Sequence, residues 1–101
     1  MAKRVVWTDT AAKARREILT YWIVHNGSKV YSRKLSKLFR KKVDLLRKQH
    51  YLGVSTDFGD VRASLVSHFT IFFKVDEEQI VIVGLWDNRR NPDDLYKNLD
   101  L

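Results

Sequence analysis

The sequence lacks several features that define common classes of small protein. It contains no cysteine, so it has no disulfide framework and no thiolate that binds a metal or acts as a nucleophile. No apolar run approaches the roughly 20 residues that a membrane span needs. Lys3 and Arg4 are followed by only three apolar residues before polar Thr8, which is too few for a signal peptide. We therefore expect a cytoplasmic protein that makes no contact with a membrane.

Metal-binding spacings are missing as well. The sequence has no HxxxH or HExxH motif and no aspartate cluster, and its three histidines lie far apart along the chain. We therefore expect neither a metal nor any other cofactor.

The length and composition are those of one folded domain. With 101 residues, 45% hydrophobic and 31% charged, we expect a single domain over residues 1–101 with a modest core. Lysine and arginine number 19 against 12 acidic residues, which gives a formal net charge of +7. A field of that sign attracts nucleic acid, ribosomes or an acidic protein.

Two helices are predicted after a short first strand over residues 4–8. Thr8 and its neighbours can cap a helix whose apolar residues recur at helical spacing and which ends at Asn26-Gly27. Ser28 can begin a second helix that runs to Gln49. The turn between them is short, so the two helices should pack as an antiparallel hairpin.

A connector is predicted over residues 50–59, and after it the apolar period changes from helical to two. Alternation predicts strands over 61–66 and 68–75, and the apolar run 79–86 predicts a central strand buried on both faces. Pro92 can open a short final helix. The predicted fold is α+β, in the order β-α-α-β-β-β with a short C-terminal helix, and its antiparallel twisted sheet packs against the helical hairpin.

The second helix carries most of the excess positive charge. Nine lysines and arginines face one acidic residue, Asp44, between Ser28 and Gln49. This face either binds an acidic protein segment, approaches nucleic acid, or is simply a solvated polar surface. The candidate contact residues on it are Arg33, Lys37, Arg40 and Lys41.

Three ordered segments resemble the RelE/ParE superfamily of toxins from bacterial type II toxin–antitoxin systems. They are VVWTDTAAKARREILTYW near the start, VRASLVSHFTIFFKV in the middle and IVIVGLWDNRRNPDDL near the end. The resemblance implies a growth-inhibiting toxin of the plasmid-stabilisation kind, held inactive in a hetero-oligomer by an antitoxin, for which the basic charge favours an acidic protein. Members of the superfamily either cleave messenger RNA on the ribosome, as RelE-like toxins do, or inhibit DNA gyrase, as ParE-like toxins do.

The nuclease chemistry of RelE-like members is only partly matched. Arg89 falls where those members place a phosphate-stabilising arginine, and Arg90 takes the position if the alignment shifts by one. Thr70 falls where they often carry a second arginine, and a threonine cannot clamp phosphate by charge. Val61 and Ala63 replace lysines that some nucleases carry.

Other side chains offer acid–base groups that compensate in part. His68, predicted on a strand beside Thr70, has a suitable pKa range, and Arg62 and Tyr96 are further candidates. The departures favour a toxin that acts by binding, with gyrase as the target, and a ribosome-dependent messenger RNA endonuclease is the alternative.

The free toxin should also expose an apolar surface for its antitoxin, since such partners usually bury large areas. The candidates are Phe72 and Val66, predicted on the outer face of the sheet, and Trp22 or Tyr21 on the first helix. Arg90 is a further contact candidate.

Overall fold

The computed structural model describes residues 2–95, 97 and 99, and two helices in it form the predicted hairpin. Helix α1 spans Asp9–Asn26, and helix α2 spans Val30–Lys48. The Thr8 side chain accepts a hydrogen bond from the Ala11 N–H at 3.2 Å, which caps the start of α1. Gly27 ends α1 with a left-handed backbone, φ 63°, as the sequence predicts. No helix in the described part of the chain is long and apolar enough to cross a bilayer.

Five strands form one sheet in the order β1-β5-β4-β3-β2. Their bounds are β1 Arg4–Trp7, β2 Val54–Ser55, β3 Arg62–Val66, β4 Phe69–Val75 and β5 Gln79–Asp87. The predicted antiparallel meander is β3-β4-β5. Strand β1 pairs with β5 in parallel, which the helical hairpin between them makes possible. The predicted α+β fold is confirmed, with a mostly antiparallel sheet.

The segment predicted as a connector contains regular structure. His50–Leu52 form a 3₁₀ turn, and the two-residue edge strand β2 pairs with β3. After β5, the predicted C-terminal helix is a 3₁₀ turn, Pro92–Asp94, with proline in its first turn. The Asn91 side chain accepts the Asp93 N–H at 3.0 Å and so caps this turn.

The sheet has a core on each face. The helix-facing core contains Leu35 and Phe39 from α2 and Phe69 and Phe73 from β4, all at most 1% exposed. The opposite face carries a smaller cluster: Val61, Phe72, Val83, Trp86 and Leu99. The sheet is therefore covered on both sides along its two central strands.

The predicted position of Val66 on the outer face of the sheet is wrong. Val66 pairs with Phe69, whereas Phe72 pairs with Ala63, and cross-strand partners share a face. Val66 therefore faces the helices and is 7% exposed. Phe72 does lie on the outer face, but it is only 5% exposed there.

A β-bulge in β5 orients the end of that strand. Phe72 pairs with Gly84 and Phe73 with Ile82, so Val83 is the extra residue. Beyond the bulge, Leu85 packs in the helix-facing core while Trp86 packs in the outer cluster. Asp87 pairs with helix-facing Phe69, so the bulge turns its carboxylate toward α1.

Candidate functional site

A cleft of about 580 Å³ lies between α1 and the end of β5. We call it the Arg89 cleft. One wall comes from helix α1 and the other from the strand end and the residues that follow it. The lining residues are Ala14, Glu17, Ile18, Tyr21, Trp22, Leu85, Asp87, Arg89 and Arg90.

The strand side of the Arg89 cleft is held by one ion pair. Arg89 Nε donates to Asp87 Oδ1 and Arg89 Nη2 to Asp87 Oδ2, each at 2.9 Å. The Arg89 backbone N–H also donates to Asp87 Oδ1, at 3.0 Å. Such a two-pronged pair is among the stronger charge-assisted contacts in proteins. The Nε–Nη2 edge of the Arg89 guanidinium is therefore occupied by the carboxylate of the last residue of β5.

The electrostatics of the two groups reflect this pairing. Burial alone would raise the pKa of Asp87, but the hydrogen bonds and charge of Arg89 outweigh it and lower that pKa. His68 adds a smaller favourable charge interaction. The hydrogen bond to Asp87 in turn raises the pKa of Arg89. Both groups are fully ionised at neutral pH.

Aromatic rings surround the Arg89 guanidinium on its helix side. Its Cζ lies 5.1 Å from the centre of the Trp22 ring and 5.8 Å from that of Phe69, which is within cation–π range. Trp22 also has edge-to-face contacts, with ring centres 4.9–5.2 Å apart, to Tyr21, His25 and Tyr31. Tyr21 is 55% exposed, so this platform is open to a partner.

His68 lies at the same end of the sheet as Arg89. The prediction that it belongs to a strand is wrong: it is an exposed residue of the β3–β4 turn, before β4 begins at Phe69. The backbone of the preceding Ser67 is left-handed, φ 55°, which tightens this turn. The His68 carbonyl accepts the Asn88 N–H at 2.9 Å. The Thr70 hydroxyl donates to Asn88 Oδ1 at 2.7 Å, so Thr70 serves to anchor the loop.

Of the two other predicted acid–base candidates, the one within the described residues, Arg62, lies away from this cleft. Arg62 pairs with Phe73, four residues along β4 from Phe69, and its guanidinium donates to the Gly53 and Tyr51 carbonyls. These hydrogen bonds hold the His50–Leu52 turn and the residue after it against the sheet. Tyr96 lies outside the described residues.

The predicted contact residues are distributed over several surfaces. Trp22 and Arg90 line the Arg89 cleft, and Arg90 Cζ stacks 4.5 Å from the centre of the Trp86 ring. Phe72 is buried against other apolar side chains and offers no surface to a partner in the free chain. On α2, Arg33, Lys37 and Lys41 line a shallow groove of about 310 Å³ together with Lys34.

Arg40 faces a different direction from these three. It lines a cleft of about 540 Å³ between α1, α2 and β1, which we call the arginine cleft. Three more arginines and one aspartate line it: Arg15, Arg16, Arg47 and Asp44. Its apolar lining is Val5, Trp7, Leu19, Phe39 and Val43.

The described residues contain no group of three or more histidine or acidic side chains placed to hold a metal ion.

A comparison with models of known protein families assigns the chain to one of them. The family model described as ParE toxin of type II toxin-antitoxin system, parDE, matches residues 5–92. The chain belongs to the ParE toxin family. The predicted RelE/ParE resemblance is therefore confirmed. As a ParE toxin, it is the toxin half of a type II pair and has a cognate antitoxin as its partner.

A solved structure supports the fold of this ParE toxin. The chain is similar to one described as the chromosomal ParDE TA system from P. aeruginosa, with 21% sequence identity and a TM-score of 0.68. The match covers 80% of this chain and 90% of that chain. At that identity the likeness concerns the fold alone. A search of curated proteins finds no match.

Sequence reasoning missed two parts of the surface of this ParE toxin. The first is the ion pair between Asp87 and Arg89. The only sequence signal for it is that the two residues stand two positions apart. Arg15 and Arg16 on α1 join Arg40 and Arg47 on α2, although no sequence motif connects the two pairs. That grouping depends on the angle at which the hairpin packs.

Proposed function

We propose that this ParE toxin inhibits growth by binding a target protein, without cutting nucleic acid, and that the target is DNA gyrase. The observation that carries the proposal is the bidentate Arg89–Asp87 pair. A guanidinium that stabilises a phosphate must offer its fork to the phosphate oxygens. Here Asp87 already holds the Nε and Nη2 donors and compensates the charge, so a phosphate would meet only the remaining Nη1/Nη2 edge of an ion pair whose net charge is zero.

The surroundings of Arg89 fit a contact surface better than a phosphate site. Trp22, Tyr21 and the Arg89–Asp87 pair present aromatic area beside a compensated charge. Aromatic and arginine side chains of this kind are enriched at the centres of protein interfaces. We therefore propose the Arg89 cleft as part of the surface that meets the target.

The alternative function, a ribosome-dependent messenger RNA endonuclease, has one specific observation in its favour. His68 and Arg89 lie at the same end of the sheet, where His68 contributes to the electrostatics of Asp87. A histidine beside an arginine could supply an acid or base next to a cation. This alternative requires RNA either to use the Arg89 donors outside the pair with Asp87 or to displace Asp87.

Expression of Arg89→Ala in bacteria tests the proposal against the alternative. We expect messenger RNA to stay intact with both the wild type and the variant, and we expect loss of the guanidinium to weaken toxicity only in part, since the aromatic surface remains. Arg4→Ala is the matched control, because Arg4 is exposed at the opposite end of β5 beside Gln79. Transcripts cut at ribosome-positioned sites by the wild type, with cutting abolished in Arg89→Ala, would favour the nuclease instead.

A further inference from the structure

The arginine cleft is a second concave surface that the Arg89 cleft does not explain. It takes its walls from α1 and α2 and part of its floor from β1, and its lining includes none of the residues of the Arg89 cleft. Its volume, about 540 Å³, is close to the 580 Å³ of that cleft.

The acidic side chain that lines the arginine cleft compensates only part of its positive charge. Four arginines face one aspartate, and that aspartate, Asp44, already pairs with Arg47 at 2.9 Å and with Lys48 at 3.1 Å. No carboxylate of the described residues lies within 4.0 Å of the side-chain nitrogens of Arg15, Arg16 or Arg40. The cleft therefore holds three arginine charges without an acidic partner of their own.

The floor of the arginine cleft is apolar. Its accessible apolar surface comes from Val5 and Leu19, which are half-buried, and from Trp7, which is half-buried beneath Arg15 with the Arg15 Cζ 4.2 Å from the ring centre. The exposed Arg16 and Arg40 form the rim of the cleft. An occupant that fits must bring apolar side chains to the floor and anionic groups to this rim. A nucleic acid brings phosphates but leaves the floor unmatched, and the Arg15 guanidinium covers the Trp7 face that a base would stack on.

We propose that the arginine cleft is the docking site for an acidic segment of the cognate antitoxin that carries aliphatic side chains between its carboxylates. Arginine forks match carboxylates in a bidentate geometry, and the aliphatic groups cover the half-buried Val5 and Leu19. The proposal rests on membership of the ParE family, which requires an antitoxin, and is independent of the gyrase target.

A charge-reversal experiment tests the site. The affinity of the antitoxin encoded beside this toxin gene is measured by isothermal titration for the wild type and for an Arg16→Glu/Arg40→Glu variant. The control, Lys13→Glu/Lys34→Glu, makes the same net change with one substitution on each helix outside the cleft. We expect at least about 30-fold weaker binding for the cleft variant and less than about 3-fold for the control. Equal losses, or no loss in the cleft variant, would overturn the proposal.

An Arg16→Ala/Arg40→Ala variant guards against misfolding, since it removes two exposed charges without adding new ones. We expect binding about 5-fold to 10-fold weaker than wild type, with a larger loss at low salt than at high salt because the rim charges are screened. Unchanged affinity in this variant, with a native circular dichroism spectrum, would also overturn the proposal. Neither titration contains gyrase, so failure here is distinct from failure of the proposed target.

Defined competitors identify the chemistry that the cleft selects. A 12-residue peptide of alternating glutamate and leucine should displace the antitoxin from the wild type. An equally charged peptide of glutamate and serine should do so at least about 5-fold less well, because it leaves the floor uncovered. A 20-base-pair DNA duplex should compete least. Displacement by the duplex equal to that by the leucine peptide would identify a nucleic-acid site and contradict the proposal.

Discussion

Replacing Asp87 with asparagine tests what holds the Arg89 cleft together. The Asp87 side chain is 20% exposed and accepts both donors of the Arg89 fork at 2.9 Å. An amide keeps one acceptor but loses the charge and the second acceptor. Arg89 is 45% exposed, so solvent screens the pair. We therefore expect Asp87→Asn to lower the free energy of unfolding by about 1 kcal/mol at pH 7, well below the roughly 3–5 kcal/mol for breaking a buried pair.

The effect of this substitution should depend on pH in a defined direction. The folded-state pKa of Asp87 is lowered, because the hydrogen bonds from Arg89 outweigh the opposing effect of burial. The stabilisation is therefore complete above the unfolded pKa of about 3.9 and is lost as the pH falls through the folded pKa. The difference between wild type and variant should be full at pH 7 and should shrink below about pH 4.

Urea unfolding at pH 7 and pH 3 measures this difference. Tryptophan fluorescence follows the unfolding, and Trp22, whose ring centre lies 5.1 Å from Arg89 Cζ, is one of the three tryptophans that contribute to it. A loss of 1 kcal/mol corresponds to about 4–8 °C in Tm for a domain of this size. Asp60→Asn is the control, because Asp60 is 79% exposed and pairs with Lys74 at only 3.7 Å. Its expected loss is below about 0.5 kcal/mol. A loss in Asp87→Asn that is the same at both pH values would refute the reasoning.

Two further predictions concern the edge of the sheet. Gly53→Ala should lower the free energy of unfolding by about 1–3 kcal/mol, because a methyl group there would overlap the fully buried Phe73 ring; an unchanged Tm would contradict this packing. Near β2, Tyr51, Val54 and Leu65 are 65–67% exposed, so the isolated toxin should self-associate at high concentration in sedimentation velocity. A strictly monomeric isolated chain would count against this.

The helical hairpin could be predicted from sequence because its signals are local. The Thr8 cap, the Asn26-Gly27 ending and the helical recurrence of apolar residues each act within a few positions. The three-stranded meander could also be predicted, since period-two alternation and short turns are local as well. The family resemblance then rested on the order of these elements.

The orientation of side chains at the end of β5 could not be predicted in the same way. Strict alternation from Ile82 would direct Trp86 toward the helices and Asp87 away from them. The bulge at Val83 reverses both, and nothing in an apolar run of this kind marks where a bulge falls. The prediction for Val66 is wrong because alternation gives the period of a strand but not its cross-strand partner.

The arginine cleft was beyond sequence reasoning for a different reason. Arg40 belongs to a basic helix whose charges predict one contact face, yet the structure separates Arg40 from Arg33, Lys37 and Lys41. Which cations gather depends on how the helical hairpin packs on β1. A count of charges along one helix contains no such information.

Inhibition of purified DNA gyrase tests the proposed function most directly. The toxin is added to a supercoiling reaction with gyrase, ATP and relaxed plasmid, with and without the antitoxin encoded beside its gene. We expect the toxin alone to block supercoiling in a dose-dependent way and the antitoxin to restore it. Full supercoiling at all toxin concentrations, with ribosome-dependent cleavage of messenger RNA by the same preparation, would contradict the account.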